Sequence, residues 1–552
     1  MVKKKPLYFA GISLMFASAS SWAIEPPLLV KPPVQQEPDT NQPITELSLV
    51  EKIVGQVESQ GDSTIKGIHF VGGTSLDLQL IAQDVNFLIG QPYQKDLVQI
   101  AIDKVSARFH DNGFPLAFAT VGRNGFADSK LTITVVEGYI IRSEIVVDDP
   151  HVKERIDDIL ADVLQEKPAR QETLERAIAL INDIPGYQFT LSLPRPKTLS
   201  GATSFRIEQK NREMIEPFVG YAMQKDSDKS MSVGLRLNAN RSYLQSLTMN
   251  ALVPIDNHDQ QFYSANFTHA LGSDGLSSAL NLTYYQDSEE SELPINGNQV
   301  SIDNKIERQS ANYDLSYPFI LNKNQRLTAK VGLLYESEDR EYHLSYNDTY
   351  LGQLDDSIRY LIASLYVTSQ HTQENFSFSV GVGVNQSVPS AFDYTSDLGN
   401  SQLYDDGFRF YEMNVLSSYQ LTSRYLVSLR GNGVYASESI VPSQRVSYGG
   451  VNFARGYPEG TLEGDRGYGA ELKFMQRNSR KKYYLNPFIL VDYANAEQER
   501  LTLPYSELAS AAIGFEAGYS RNVHLSFDYA KPLIEHHRFT RDVFNLSLRW
   551  KF

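Results

Sequence analysis

The chain has 552 residues and a formal net charge of −15, from 51 Lys+Arg against 66 Asp+Glu. This balance argues against nucleic acid as a partner and reads as a solvated acidic surface. It contains no cysteine, which excludes disulfides and thiol chemistry. No segment beyond the N-terminus approaches eighteen uncharged apolar residues, which excludes a transmembrane helix. The chain is nevertheless rich in Tyr (32) and Phe (27) and only 41% hydrophobic, the balance of an outer-membrane β-barrel.

The N-terminus reads Met1-Val2-Lys3-Lys4-Lys5, then an apolar run from Leu7 to Ala19, then Ser21-Trp22-Ala23. A basic start, an apolar centre and a small-x-small end predict a secretory signal over 1–23, cleaved after Ala23. The apolar run is too short for a membrane anchor. Cleavage removes three lysines and moves the net charge from −15 to −18. Residues 24–62 follow. Pro26, Pro27, Pro32, Pro33, Pro38 and Pro43 predict an extended linker. Ile44, Leu47, Val50, Ile53, Val54 and Val57 fall at helical spacing and predict a short amphipathic helix over 44–59.

Residues 63–139 predict an α/β module. A strand over Thr64–Val71 precedes a helix from Ser75 to Phe87. A second helix runs from Lys95 to Asn112, with Leu97, Ala101, Val105 and Phe109 four apart and Gly113 as its stop. Strands Ala117–Arg123 and Leu131–Val136 close the unit. Residues 140–212 repeat the β-α-α-β-β order without repeating the sequence. Ile140–Val147 is the strand. Val152, Ile156, Ile159, Leu160 and Val163 mark one helix, and Leu174, Ala177, Ile178 and Ile181 the next. Pro185-Gly186 turns the chain into strands Gln188–Leu193 and Ala202–Gln209.

From Glu216 onward the period is two. Sixteen strands are predicted to begin near 215, 230, 246, 260, 277, 308, 325, 357, 374, 408, 425, 467, 484, 508, 523 and 543. Six of the seven even-numbered connections are short (240–245, 271–276, 319–324, 370–373, 419–424, 519–522), and several odd-numbered ones, 287–307, 339–356, 387–407 and 436–466, are long. Barrels of the outer membrane have short periplasmic turns and long external loops, so both ends of the barrel, 213–552, are expected in the periplasm. In the last strand Phe544, Leu546, Leu548, Trp550 and Phe552 share one face, with Asn545, Ser547, Arg549 and Lys551 on the other. One face suits lipid and one a lumen. A soluble sandwich would not explain sixteen strands with alternating loop lengths. The fold class expected is mainly β: a sixteen-stranded antiparallel transmembrane barrel preceded by two small α/β domains.

The long loop 436–466 carries Ala454-Arg455-Gly456-Tyr457 and then Gly464-Asp465-Arg466-Gly467. In the strand Phe488–Ala494, Ile489, Val491 and Tyr493 share one face, which leaves Asp492 on the other. In Tyr468–Phe474 the apolar face is Tyr468, Ala470, Leu472 and Phe474, so Glu471 points inward with Gly469 and Lys473. An arginine carried into a confined lumen suits a planar carboxylate that its fork can engage. Gly456 permits a tight turn, and Tyr457 packs while its hydroxyl seeks a partner. These residues leave two readings open: a pore-loop lock of Arg455, Gly456 and Tyr457 with Asp492, to which Glu471 can add, or a surface arginine and unrelated lumen acids.

This arrangement resembles the two-partner secretion transporters, which export filamentous haemagglutinins, haemolysins and related adhesins or toxins. Asn112-Gly113-Phe114 and Leu131 through Glu137-Gly138 look like the closing strands of that family's first POTRA domain. Leu174-Glu175-Arg176-Ala177 through Asn182-Asp183-Ile184-Pro185-Gly186 looks like the helix and turn of its second. Arg455-Gly456-Tyr457 matches the tip of its sixth external loop, which folds back into the pore, and Val491-Asp492-Tyr493 the inner-wall motif whose Asp pairs with that Arg. The resemblance implies an outer-membrane location with the POTRA domains in the periplasm. It implies a monomer that captures an unfolded large exoprotein bearing an N-terminal secretion domain. Its other partners would be outer-membrane lipid and, during biogenesis, the barrel-assembly machinery, whose substrates also end in an aromatic residue on such a strand. Residues 44–59 are either the pore-plugging helix of the family or an extra helix on the first POTRA domain. No nucleotide-binding loop is present, so export would run on binding and folding free energy.

Catalysis has little support, and neither a cofactor nor a metal is expected. The ten His are scattered, His536-His537 lacks a third ligand, and no Gly-x-Ser-x-Gly elbow occurs. Two other readings stand: an assembly factor that inserts barrels, and a passive porin with no need of Arg455 opposite Asp492. The sequence names neither the cargo nor the POTRA surface that binds it.

Overall fold

The computed structural model describes residues 64–224, 229–241, 244–255, 260–295, 298–346, 349–397, 404–480, 482–503, 505–520, 522–534 and 542–552. The signal over 1–23, the linker and helix within 24–62, and His536-His537 lie outside the described residues. The chain divides into an α/β part and a barrel.

The α/β part contains two modules. In the first, β1 (Gly67–Gly72) lies parallel to β4 (Lys130–Val136), and β2 (Phe118–Thr120) and the two-residue β3 (Phe126–Ala127) pair antiparallel to β4. Helices α1 (Leu78–Val85) and α2 (Lys95–Asp111) join β1 to β2, with a 3-10 turn over Asn86–Leu88. The Asp77 carboxylate accepts from Gln79 N at 2.9 Å and caps α1. Gly113, at φ 86°, ends α2 in the left-handed region. The core follows from spacing: Val98, Ala101, Val105 and Phe109 of α2 close on Ile81, Val85, Leu131 and Ile133. Val98 takes the fully buried place expected of Leu97, which is partly buried. The second module repeats the order. Here β5 (Tyr139–Val146) is parallel and β6 (Tyr187–Ser192) antiparallel to β7 (Ala202–Arg212), with α3 (Pro150–Gln165) and α4 (Gln171–Asn182) between β5 and β6. Asp149 caps α3 by accepting from His151 N at 3.0 Å, ahead of Pro150 at the first helical position.

Sixteen long strands form the closed barrel among the described residues. They are Ile215–Gln224, Ser230–Arg241, Leu244–Pro254, Gln261–Ala270, Ser277–Ile295, Asn298–Leu321, Gln325–Tyr346, Thr349–Gln373, Phe376–Ser387, Arg409–Thr422, Tyr425–Ala436, Arg466–Gln476, Tyr483–Glu497, Glu507–Tyr519, Val523–Pro532 and Val543–Lys551. The short strands Asp393–Ser396 and Ser479–Arg480 pair beside them. The ring closes where Val543–Lys551 pairs antiparallel with Ile215–Gln224, Leu548 opposite Tyr221. Closure leaves no open edge, which a wall in hydrocarbon requires.

The two faces invert the pattern of a soluble protein. Val331, Ile489 and Ile513 stand 50%, 56% and 61% exposed on the outside, while Asn250, Asn312, Asn385 and Glu412 are buried within. An apolar exterior around a polar interior is the signature of a membrane barrel. Aromatic residues ring the short-turn end. The Tyr483 and Tyr519 rings lie 4.8 Å apart, and those of Trp550 and Phe552 4.7 Å.

Two expected loops are instead strand. Residues 287–295, 298–307, 339–346 and 349–356 belong to the paired ends of strands 19 to 25 residues long, with Asp339 opposite Ser357 and Asp287 opposite Ile306. Their charged residues break the lipid-facing alternation and so read as loop. A ladder needs no apolar face once it leaves the bilayer, so pairing continues there.

Phe109 is fully buried in the first module. Phe109→Ala should destabilise that module by about 3–5 kcal/mol, seen as a lowered denaturant midpoint and new protease cleavage within 64–138, with the barrel intact. On the surface of the same module Arg108 Nε and Nη2 donate to Asp84 at 2.8 and 2.7 Å. That hydrogen bonding, aided by the charge of Arg108, holds the Asp84 carboxyl below its ordinary value. Folded Asp84 therefore binds a proton less readily than unfolded Asp84. The pair's contribution is complete above about pH 4 and is lost as pH falls through the lowered value. Arg108→Gln should weaken the module at pH 7 and progressively less as the pH is lowered, read from denaturant midpoints across that range.

Candidate functional site

The connection 437–465, between strands Tyr425–Ala436 and Arg466–Gln476, folds into the barrel. Its own structure shapes it. Pro442–Gln444 forms a 3-10 turn, and Val446–Tyr448 pairs antiparallel with Leu462–Gly464. Gly449 sits at φ 115°, and a Cβ there would run into the Pro458 carbonyl, so only glycine fits the turn. Ala454 is left-handed at φ 59°, a conformation that costs a non-glycine residue about 1–2 kcal/mol. Tyr457 N donates to Ala454 O at 3.0 Å and closes the tip. Tyr448, Phe453, Tyr457 and Leu462 pack on the wall residues Ala494, Ala496 and Leu508, where the two alanines leave them room.

The tip presents Arg455 to a row of wall groups. Arg430, Glu471, Asp492 and Ser510 are direct partners across four adjacent strands. Arg455 Nε and Nη2 donate to Glu471 Oε2 at 3.0 and 2.8 Å, and Nη1 donates to Asp528 Oδ2 at 3.0 Å. The backbone N–H of Arg455 donates to Asp492 Oδ2 at 3.1 Å. Arg455, Glu471, Asp492 and Asp528 are 8%, 4%, 4% and 2% exposed, so the pairing is largely desolvated. Each acid also has a standing partner on the wall. Glu471 accepts from Arg430 Nη2 at 3.1 Å, Asp492 from Ser510 N at 3.1 Å, and Asp528 from Asn545 Nδ2 at 2.8 Å. Arg430 in turn lies over the Phe453 ring, 4.7 Å from its centre, and donates to Asn452 O.

Gly456 and Tyr457 complete the seat. A Cβ at Gly456 would lie 2.7 Å from Pro532 N and 2.9 Å from the Lys531 carbonyl carbon, so the tip backbone lies directly against the wall. The Tyr457 hydroxyl donates to Ile534 O at 2.7 Å, with Ala509 O at 3.1 Å as a second acceptor. Gln224 Nε2 donates to Tyr457 O at 3.4 Å and ties the tip to the first barrel strand.

The structure brings together all five residues singled out in the sequence, with one change of partner. The guanidinium was expected on Asp492; it engages Glu471 and Asp528, and Asp492 holds the Arg455 backbone instead. Asp492 is directly opposite Ser510, which occupies its other oxygen. Asp528 went unnoticed, although Phe527-Asp528-Tyr529 carries the same signal as Val491-Asp492-Tyr493: an acid on the inner face between outward aromatic or aliphatic residues. Ser510 and Arg430 carry no such signal, since either suits any inner wall. Asp465, in the second motif noted in the loop, accepts from Arg445 Nε at 2.8 Å and Ile440 N at 3.1 Å and draws the loop's two arms together.

Two family models match the chain. Residues 63–138 match the POTRA domain of ShlB type. Residues 235–517, just over half the chain, match the haemolysin secretion/activation protein ShlB/FhaC/HecB. Among solved structures, CdiB from Escherichia coli superposes with a TM-score of 0.65 at 16% identity, over 92% of this chain and 93% of that one. CdiB from Acinetobacter baumannii superposes with a TM-score of 0.60 at 14% identity, again over 92% and 93%. At these identities the likeness is one of fold. No curated protein matches the chain.

The Gly456 seat generates a test. Gly456→Ala sets a methyl group against backbone that cannot step aside, at a cost of about 1–3 kcal/mol to the seated tip. Ion conductance of the reconstituted protein should rise, with heat-modifiable gel migration of the barrel unchanged.

Proposed function

The chain belongs to the haemolysin secretion/activation protein family (ShlB/FhaC/HecB), and from that premise we propose that it carries one large exoprotein across the outer membrane. Family membership makes it an outer-membrane β-barrel of two-partner secretion, with its POTRA domain in the periplasm. The cargo proposed is an adhesin, haemolysin or contact-dependent toxin with an N-terminal secretion domain. It is captured unfolded by the two α/β modules and threaded through the barrel by a monomeric, non-catalytic protein.

Capture has a physical basis in the modules. Among the described residues each sheet ends in strands with one unpaired edge, β1 and β2 in the first and β5 and β6 in the second. An extended segment added to such an edge gains backbone hydrogen bonds with little demand on its sequence. The periplasm supplies no ATP, so direction would come from folding of the cargo outside, which makes return unfavourable.

The observation that supports a transporter best is the loop tip, where apolar packing fills the space and buried charge on Arg455 fixes the position. Three wall acids surround Arg455, and each keeps a second partner. When the tip leaves, the acids remain hydrogen-bonded and face a wet lumen, so the loop can be displaced and return.

Secretion of the genetically linked exoprotein tests the reading. Deletion should abolish it, and Arg455→Ala should reduce it at least ~10-fold, because removing one partner of a buried ion pair costs about 3–5 kcal/mol. Arg455→Lys should fall between, since an ammonium cannot reach both Glu471 and Asp528 as a fork does. Secretion that survives deletion while other barrels fail to insert would replace the transporter with an assembly factor.

A further inference from the structure

The loop is also held at a second place. Ser443 and Gln444, on the arm that precedes the tip, are buried and meet the Tyr360 hydroxyl on the wall, and Ser443 also hydrogen-bonds the Glu336 carboxylate. Tyr360 Oη lies 2.7 Å from Ser443 Oγ and accepts from Gln444 Nε2 at 3.0 Å. It donates to Glu336 Oε1 at 2.6 Å. The Tyr360 hydroxyl thus joins the loop arm to the Glu336 carboxylate. Glu336 lies 3.7 Å from Arg308 Nε, which also donates to Glu338 at 2.6 Å. Arg308, Glu336 and Tyr360 therefore form a chain across three neighbouring strands that ends on the loop. The Tyr360 ring is fully buried in an apolar cluster that includes Ile440 and Val441 of the loop.

This attachment and the tip have no side chain in common, and they use different arcs of the barrel. The tip engages strands Arg466–Gln476, Tyr483–Glu497, Glu507–Tyr519 and Val523–Pro532 and, through Gln224, Ile215–Gln224. The arm engages Gln325–Tyr346 and Thr349–Gln373, on the other side of the loop's parent strands in the ring. The loop is thus fastened to two separated parts of the wall.

We propose that Tyr360 is a positioning residue of a second clasp, which holds the loop arm inside the barrel independently of Arg455, so that full opening takes two separate releases. The proposal deepens the transport reading and rests on it for its biological use, because a polypeptide needs both releases to pass.

The test is ion conductance in planar bilayers for the wild type, Tyr360→Phe, Arg455→Ala and the double variant. Tyr360→Phe keeps the ring in its cluster and removes only the hydroxyl. Each single variant should raise the open fraction ~10-fold or more, the range for hydrogen bonds to charged groups, and the double should approach the product of the two. Ser443→Ala with Gln444→Ala removes these bonds from the loop side, together with the Ser443 bond to Glu336, and should open the pore at least as far as Tyr360→Phe with the wall untouched. Heat-modifiable migration confirms that each barrel is folded. Wild-type conductance in both Tyr360→Phe and the loop-side pair would overturn the proposal. So would a double variant no more open than Arg455→Ala, which would make the loop a single lock. Conductance needs no cargo, so a failed secretion assay alongside a multiplicative conductance result would remove the transport reading and leave the second clasp standing.

Discussion

A guanidinium withdrawn from water is tolerated only where its charge is matched and its N–H groups are taken. Arg455 meets that condition on acids from three different strands: Glu471 and Asp528 for the side chain and Asp492 for the backbone. The position of the loop tip follows from this pairing, and the sheet register that lines up Arg430, Glu471, Asp492 and Ser510 makes the pairing available. Isolated, any one of these acids would be an expense inside the barrel. Given standing partners, they form a wall that is satisfied with the loop present and hydratable without it.

The size of the ring explains why such a loop is needed. Sixteen strands enclose a lumen wide enough for a water-filled channel, and the wall side chains alone do not fill it. Apolar packing supplies much of the filling, through Tyr448, Phe453 and Tyr457 near the tip and Ile440 and Val441 nearer the base. Apolar contacts give bulk without direction. The buried charges and hydroxyls fix where that bulk sits.

Much of this was legible in the sequence because membrane barrels impose a strict two-residue period, and that period places Glu471 and Asp492 inward without any structure. The β-α-α-β-β order of both modules was equally readable from helical spacing and from Gly113 and Pro185-Gly186. Legibility failed where the period loses its cause. Beyond the bilayer, 287–295, 298–307, 339–346 and 349–356 remain paired strand but are free to be polar on both faces, so they look like loop. It failed again at partner choice. Sequence fixes which face an acid is on, but not which of three inward acids a guanidinium carried in by a loop will reach. That depends on how Ser510 occupies Asp492, a matter of register between strands.

The seam of the barrel has a consequence for how the protein is made. Its pairing joins residues 218–224 to 545–551, more than three hundred positions apart. No shorter stretch of the chain can seal itself, so every partial barrel carries two rows of unpaired N–H and C=O groups that neither lipid nor a crowded compartment leaves alone. Hairpins cannot be committed to the bilayer one by one as they emerge. The whole sequence must be kept in hand until its last strand arrives, with something else lending each provisional edge a partner in the meantime.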